Sequence, residues 1–216
     1  MTKRELVIRF LREDNFSPLF DMAVNESGIL RILISLTYDR EDILSWRAME
    51  AVGLIAARRA LNDPGAVRGL VQRLLWMMRD ESGNNPWSAP DMLGEIVRNC
   101  PDEFQDIAPI IVSFHDEEIL RAGVLRAVVR IGEIRPDLAE AAAPIVGEYL
   151  KHSDPLTRHY ALHIAGILGL KDLLPCIEPL VRDETGLKIY EDRNFKTIRL
   201  AKTAEETVII LRAQGK

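Results

Sequence analysis

The chain has 216 residues, of which 47% are hydrophobic and 28% are charged, a balance that is ordinary for a folded globular protein. Its 33 Asp and Glu residues outnumber its 28 Lys and Arg residues, and the net charge of -5 argues against dedicated nucleic-acid binding because polyanions are repelled. The sequence contains no apolar run as long as a membrane span and no signal-peptide segment, so we expect a cytoplasmic protein without a membrane partner.

The first 39 residues predict three short helices, at about 3–12, 17–24 and 28–38. An array of repeats needs an end that covers its last apolar face. We therefore expect residues 1–39 to form an N-terminal helical cap.

An internal repeat occupies residues 40–183. Its frame is 16 residues long, with apolar residues at the fourth, eighth, eleventh, twelfth and fifteenth positions, which share one face of a helix. The frame recurs at segments 41–56, 82–97, 117–132, 154–169 and 194–209, the second and the last being weaker copies. Intervals of about 40 residues are typical of two-helix repeats.

A second series between these segments predicts the partner helix of each repeat. Pro109, Pro144 and Pro179 recur 35 residues apart. Proline is tolerated in the first turn of a helix, where its missing N–H is not needed. Each repeat is therefore expected to be a helical hairpin.

Residues 184–216 predict a different ending. The segment 187–198 alternates apolar and polar residues around a turn-prone stretch at 191–194, which favours a small β-hairpin, with an extended loop as the alternative. A last helix is predicted from about 197 to 213.

The segment from Asp154 to Gly169 shares Arg158 and Gly169 with the copy at 117–132, and its motif Asp-Pro-x-x-Arg followed by Ala161, Gly166, Leu168 and Gly169 resembles the bacterial HEAT-like repeats, including those of bilin-lyase-type proteins. This resemblance implies an all-α, armadillo-like α-α superhelix of about five helical hairpins, with the β-hairpin inserted near the C-terminus. We expect residues 1–216 to form a single domain of this kind.

The resemblance also implies that the helix carrying the frame lies on the concave side, with its sixth, tenth and fourteenth positions facing the groove. Helical periodicity by itself shows only that these positions share a face away from the apolar one. The concave stripe selected in this way consists of Trp46, Glu50, Trp87, Asp91, Glu95, Arg126, Arg130, His159 and His163. Exposed aromatic residues beside arginines are typical binding anchors, so we expect the stripe to hold a protein or peptide partner without catalysis.

A structural role is the alternative for the aromatic residues. Trp46 and Trp87 could pack against neighbouring repeats or the cap, and Trp76, on the partner helix, is predicted to lie in the core. Tyr190 and Phe195 on the predicted hairpin could pair two chains edge to edge, which leaves the oligomeric state open.

The charged residues of the stripe also have a structural alternative. Asp91 and Glu95 could form a surface ion-pair ladder with Arg98. His159 and His163 lie one helical turn apart, but a metal site also needs a third ligand, so chance surface histidines are favoured. We expect no metal and no cofactor.

The repeat is interrupted most clearly at residues 81–95, where a Gly-Asn-Asn stretch and two prolines replace the usual helix start. We expect Trp87 to be held at a rigid helix entrance with Ser88 as the N-cap. Departures from local rules often mark function, and a longer inter-repeat loop is the alternative.

An enzyme is the competing functional hypothesis, because one family of HEAT-like proteins comprises alkylpurine DNA glycosylases. Trp87 and Asp91, with Arg126 from a following repeat, are similar to the layout of that family's groove. The resemblance implies that Asp91 would stabilise the cationic sugar as the damaged base leaves. The net charge of -5 argues against this reading, and a bilin lyase rests on repeat resemblance alone.

Overall fold

The computed structural model describes residues 1–25, 28–79 and 86–213. Within these ranges the chain is an all-α superhelix of helical hairpins with a small antiparallel β-hairpin near its C-terminal end, as the repeat analysis predicts. None of the helices in the described ranges combines the length and the apolar character that crossing a membrane requires.

Three short helices precede the repeats, at α1 (Lys3–Arg12), α2 (Ser17–Asn25) and α3 (Ile29–Ile34). A capping box starts α1, because Thr2 accepts a hydrogen bond from the Glu5 backbone while the Glu5 carboxylate accepts one from the Thr2 backbone. The first two helices form where predicted, and the third ends earlier, at Ile34.

The inner helices of the superhelix carry the 16-residue frame and pack side by side in chain order. They are α4 (Ile43–Ala60), α6 (Ala89–Asn99), α9 (Glu118–Gly132), α11 (Pro155–Leu168) and α13 (Leu200–Ala213). The apolar positions of the frame are buried as predicted, in the first copy at Leu44, Ala48, Ala51, Val52 and Ile55. The N-cap of α11 is Asp154, whose carboxylate accepts from the backbone of Leu156 and Thr157.

Glycine permits the closest contacts between inner helices. A Cβ atom added at Gly53 would lie 2.6 Å from the backbone of Glu95, and one added at Gly94 would lie 2.6 Å from the Cβ of Ala127. Real Cβ atoms do not approach that closely, so α4, α6 and α9 can pack at this distance only because these positions lack a side chain.

The outer layer consists of α5 (Pro64–Arg79), α7 (Pro101–Phe104), α8 (Ala108–Val112), α10 (Ala143–Tyr149) and α12 (Leu174–Ile177). Pro109 and Pro144 lie in the first turns of α8 and α10, as predicted, whereas Pro179 lies in a 3₁₀ helix at Glu178–Arg182. The core prediction for Trp76 is wrong, because this side chain points away from the buried face of α5 and is 61% exposed.

Residues 81–85 of the interrupted repeat lie outside the described residues. The chain after them forms a 3₁₀ helix at Pro86–Ser88 that leads directly into α6. Ser88 occupies the N-cap position of α6 as predicted, but its hydroxyl makes no capping hydrogen bond and lies 3.0 Å from the hydroxyl of Thr37.

The predicted β-hairpin is confirmed. Strands β1 (Gly186–Glu191) and β2 (Asn194–Arg199) pair antiparallel, and α13 follows at once. Asp192 and Arg193 form the two-residue turn and both have left-handed backbone angles, with φ of 48° and 60°. This is the geometry that a tight hairpin with the native strand twist requires.

Candidate functional site

The residues of the concave stripe share one side of the inner helices, but the β-hairpin lies across part of it. The expectation of an exposed stripe is wrong for five members, each at most 5% exposed: Trp87, Asp91, Glu95, Arg126 and His159. The other four are partly exposed: Trp46, Glu50, Arg130 and His163. The sequence therefore groups these residues on one side of the inner helices without showing what covers them.

The hairpin is held by an aromatic stack. The ring of Tyr190 stacks on Trp46, with centroids 5.5 Å apart and an interplanar angle of 20°, and Trp46 packs in turn against Trp87 at 5.6 Å. The guanidinium of Arg126 lies 5.1 Å from the Trp46 ring and 5.6 Å from the Tyr190 ring. Tyr190 is 8% exposed, so the expectation that it projects from the hairpin to pair two chains is wrong.

Both stripe tryptophans are also fixed through their indole N–H groups. Trp46 donates to the backbone oxygen of Arg40 at 2.8 Å, and Trp87 donates to that of Tyr38 at 3.2 Å. The guanidinium of Arg40 lies 4.8 Å from the Trp87 ring. These contacts match the structural alternative for the two residues, in which they pack against the cap side of the first repeat.

An ion-pair ladder joins α6 to α9 beneath the hairpin. Arg126 donates to Asp91 at 2.8 Å, and Arg130 donates to both oxygens of Glu95 at 2.7 and 3.3 Å. Burial raises the pKa of Asp91 to about 6, despite the adjacent guanidinium. Burial lowers the pKa of Arg126, but the two carboxylates more than reverse this and the pKa is raised. The ladder is therefore a buried link between repeats and not a surface feature of one helix.

The tip of the hairpin reaches back to the first repeat. Glu50 accepts hydrogen bonds from the Tyr190 hydroxyl at 3.0 Å and from Arg193 at 2.8 Å. Arg47 donates to the backbone oxygens of Arg193 and Leu11. Burial raises the pKa of Tyr190, so this hydroxyl remains a proton donor at neutral pH. Both the hairpin near the C-terminus and the first N-terminal helix are therefore hydrogen-bonded to α4.

The inner face remains open beside the hairpin. A cleft of about 510 Å³ lies between the hairpin and α6, α9 and α11, and a second cleft of about 340 Å³ lies across α9, α11 and α13. Glu133 and His163 line both clefts, so the two adjoin, and we call them together the open groove. The first cleft is polar, and the floor of the second contains Gly132, Gly166 and Ile167.

Sequence reasoning did not select two charged residues of the open groove for binding. Arg98 and Glu133 line it, yet they lie one position beyond the end of the 16-residue frame. Continuing the spacing of three and four residues by one more step along the same face would have included both.

The two stripe histidines line the first cleft, and His163 also lines the second. Their rings are 4.6 Å apart and nearly perpendicular, and His159 Nδ1 lies 3.0 Å from the hydroxyl of Thr203. Burial lowers the pKa of His159 to about 3 and also lowers that of His163, so both are neutral at pH 7. His159 is thus a buried histidine and not a surface one. Among the described residues, no group of three His, Cys, Asp or Glu side chains could hold a metal ion.

Comparison with solved structures supports the repeat fold. A designed armadillo repeat protein in complex with the peptide (KR)4 superposes with a TM-score of 0.55 at 15% identity, over 97% of this chain and 100% of that protein. An archaeal HEAT-like repeats protein from Thermococcus onnurineus NA1 covers 99% of this chain at 12% identity, but its TM-score of 0.41 is too low to carry an argument. The predicted HEAT-like and armadillo-like fold is confirmed, whereas the bilin-lyase resemblance stays a prediction.

No protein-family model matches the chain. An uncharacterised protein of Archaeoglobus fulgidus is 34% identical over 171 residues, which are 78% of this chain and 90% of that protein. Identity at this level over most of both sequences places the chain in the same protein family as the Archaeoglobus fulgidus protein.

Proposed function

We propose that this chain is a non-catalytic scaffold that binds a protein or peptide partner in the open groove. The observation that carries this proposal is the uncovered surface formed by α9, α11 and α13, which lie side by side beyond the hairpin. Elongated grooves of this kind suit extended ligands. The designed armadillo protein of similar fold was solved with a bound peptide, which supports the same use of the fold here.

The proposal places the partner beside the hairpin and not over the two stripe tryptophans. Trp46 already stacks on Tyr190, the two tryptophans pack against each other, and each donates to a backbone oxygen. A partner at that position would have to remove the hairpin and expose Leu187 and Ile189, two residues of β1 that are also buried. The open groove requires no such rearrangement.

The lining of the open groove combines an apolar floor with charged walls. Ile167 and Ile210 contribute apolar surface beside the small residue Gly166, while Arg130 and Glu133 lie at the polar end. Such a surface buries apolar side chains of a partner and orders its charges along the groove. Binding is therefore expected to weaken as salt concentration rises.

The glycosylase alternative receives no support from the contacts. Trp87, Asp91 and Arg126 do lie together, as that reading requires, but Asp91 is 1% exposed and its carboxylate is occupied by Arg126. The hypothesis stays a prediction that an assay for base release from alkylated DNA would test.

The groove can be blocked without disturbing the helix that forms it. A Cβ atom at Gly166 makes only ordinary contacts at 3.8 Å, so Gly166→Gln should fold and place its side chain in the groove. Gly69→Gln on the outer helix α5 is the matched control, because a Cβ atom added there would meet no neighbouring element among the described residues within 4 Å. Each immobilised variant is compared with wild type for partner capture from a lysate of the source organism, after circular dichroism has shown it to be folded.

We expect wild type and Gly69→Gln to retain the same partner and Gly166→Gln to lose it. Equal capture by all three proteins would place binding elsewhere on the molecule. Crosslinking from a photoreactive residue at Ile210, compared with one at Trp76 on the outer side, gives an independent reading of the surface that the partner touches.

A further inference from the structure

We propose that the open groove contains a carboxylate-binding subsite between Arg98 and Arg130, which receives an Asp or Glu side chain of the partner in place of Glu133. This inference deepens the proposed function and rests on it. The three side chains belong to α6 and to the last turn of α9, and all of them line the first cleft.

Arg98 is the guanidinium with the fewest partners in the cleft. It donates no hydrogen bond within the described part of the chain, and its Nε atom is buried without an acceptor. Its ion pair with Glu133 is long, at 3.5 Å. A buried donor without an acceptor is costly and rare in native proteins, so Arg98, whose side chain as a whole is 26% exposed, gains from a shift that brings this group to an acceptor from outside the chain.

Arg130 supplies the second half of the subsite. Its Nε and Nη2 atoms hold the buried carboxylate of Glu95, which leaves Nη1 to donate to Glu133 at 3.0 Å. The Glu133 carboxylate thus lies between two arginines, where it acts as an internal stand-in for a ligand carboxylate. Its side chain is 42% exposed at the end of α9, and an ion pair so exposed contributes little to stability.

The position of Glu133 agrees with the path of an extended ligand. Glu133 and His163 line both clefts, so a segment that lies along the open groove passes between them. His163 is neutral at pH 7 because burial lowers its pKa, and a neutral imidazole offers an N–H donor to a carboxylate.

The nearby acidic groups do not cancel the two arginines once Glu133 has left. Glu191 and Asp192 at the hairpin tip are both bound by Lys196. Glu95 is buried and already shared by Arg126 and Arg130. Among the described residues, Arg98 then has no carboxylate partner, which favours an incoming anion. A guanidinium binds a carboxylate through two parallel N–H donors.

The test uses the full chain and follows the side-chain Nε–Hε NMR resonances of Arg98 and Arg130. Sodium acetate replaces sodium chloride at constant ionic strength, so that only specific binding produces a saturating shift. We expect saturation in wild type and an apparent affinity at least about threefold higher in Glu133→Gln, because the internal competitor is gone. Arg98→Gln should abolish the saturating shift of Arg130.

Glu103→Gln is the matched control, since it removes the same charge from an arginine pair outside the open groove, the pair with Arg68. A capped peptide with one Glu, compared with its Gln analogue, then separates a side-chain carboxylate from a chain terminus. The subsite is refuted if acetate gives no saturating shift, or if Glu133→Gln binds no more tightly than Glu103→Gln. Preference for a free C-terminus over the Glu side chain would overturn the assignment to an acidic residue.

The two experiments distinguish failure of one proposal from failure of the other. If acetate saturates Arg98 while Gly166→Gln keeps the captured partner, the protein has a carboxylate site, but the proposed function and the assignment of that site to a groove partner both fail. If Gly166→Gln loses the partner while acetate has no effect on Arg98, the groove binds its partner without this subsite.

Discussion

The two halves of the inner face are built from the same kind of helix, but the β-hairpin covers one half and leaves the other open. The covered half, which contains Trp46, Glu50, Trp87 and Asp91, lies on α4 and α6 beneath the hairpin. The open half, which is the open groove, lies on α9, α11 and α13 and includes Arg98 at the end of α6. Aromatic residues and buried ion pairs are concentrated in the covered half, whereas small residues and partly exposed charges remain in the open half.

This difference shows why a binding residue cannot be recognised from its helical position alone. The stripe residues of the covered half satisfy one another and a distant segment of the same chain, so their aromatic and charged character contributes to stability. In the open half, Arg98 has a buried donor without an acceptor and Glu133 is half-exposed. Incomplete pairing, more than residue type, separates a candidate binding surface from a structural contact.

The largest expected effect on stability comes from removing a large buried side chain from the covered half. Trp87→Ala removes a side chain that is 2% exposed and packs on Trp46, so we expect the free energy of unfolding to fall by about 3–5 kcal/mol. Trp76→Ala is the matched control, because its side chain is 61% exposed and should change stability by no more than about 0.5 kcal/mol. Urea denaturation followed by circular dichroism measures both. Similar losses in the two variants would contradict the assignment of Trp87 to the core of the covered half.

A pair of glycine substitutions compares the packing of the two halves. Gly94→Ala would place a Cβ atom 2.6 Å from that of Ala127, and we expect this overpacking to lower the free energy of unfolding by about 1–3 kcal/mol. Gly166→Ala meets only contacts of 3.8 Å and should raise it by about 0.5–1 kcal/mol, through the better helix propensity of alanine. Thermal unfolding of the two variants and of wild type measures both changes in stability. Opposite signs are expected, and equal signs would mean that the halves are packed alike.

Much of the fold followed from local pattern. The frame predicted the buried face of α4, and the alternation around residues 191–194 predicted the hairpin and its turn. The misplacement of Trp76 was avoidable, since Val71, Leu74 and Met78 define the buried face of α5 and Trp76 lies off it. Helical spacing contains that information without any tertiary contact.

The cover over the site could not be predicted in the same way. Tyr190 contacts Trp46, a residue far from it in the sequence. The alternation of buried and exposed residues along its strand would fit any apolar surface. Local periodicity shows which residues share a face, but not which distant element packs on that face. The same reason explains why Asp91 was expected in an exposed stripe, with a surface ladder as the alternative, when it is buried against Arg126.

Acid is expected to destabilise the protein through His159, a buried residue of α11 in the open half. Its pKa of about 3 lies below the ordinary value of 6.5, so between these values the unfolded chain binds a proton that the folded chain does not. Stability from this group is present above pH 6.5 and is lost as the pH falls toward 3. Asp91 has the opposite sign, because its raised pKa favours the folded state as the pH falls through 6.

The difference between wild type and His159→Asn isolates the histidine contribution. Asparagine can keep a hydrogen bond to Thr203 but does not titrate. We expect wild type to lose stability relative to the variant by on the order of 1 kcal/mol per pH unit between pH 6 and pH 4. Denaturant titrations at several pH values give this difference, and a difference that stays constant with pH would show that His159 can be protonated in the folded protein.

The smallest expected effect concerns the hydroxyl group through which the hairpin contacts the covered half. Tyr190→Phe removes the 3.0 Å hydrogen bond to Glu50 but keeps the ring that stacks on Trp46. Because Arg193 still binds Glu50, the carboxylate is not left without a partner, and we expect a loss of about 0.5–1.5 kcal/mol in the free energy of unfolding. Urea titrations compare it with Tyr38→Phe, whose ring is 56% exposed and whose substitution should have no measurable effect. A loss of several kcal/mol in Tyr190→Phe would mean that this hydrogen bond, and not the aromatic stack, keeps the covered half closed.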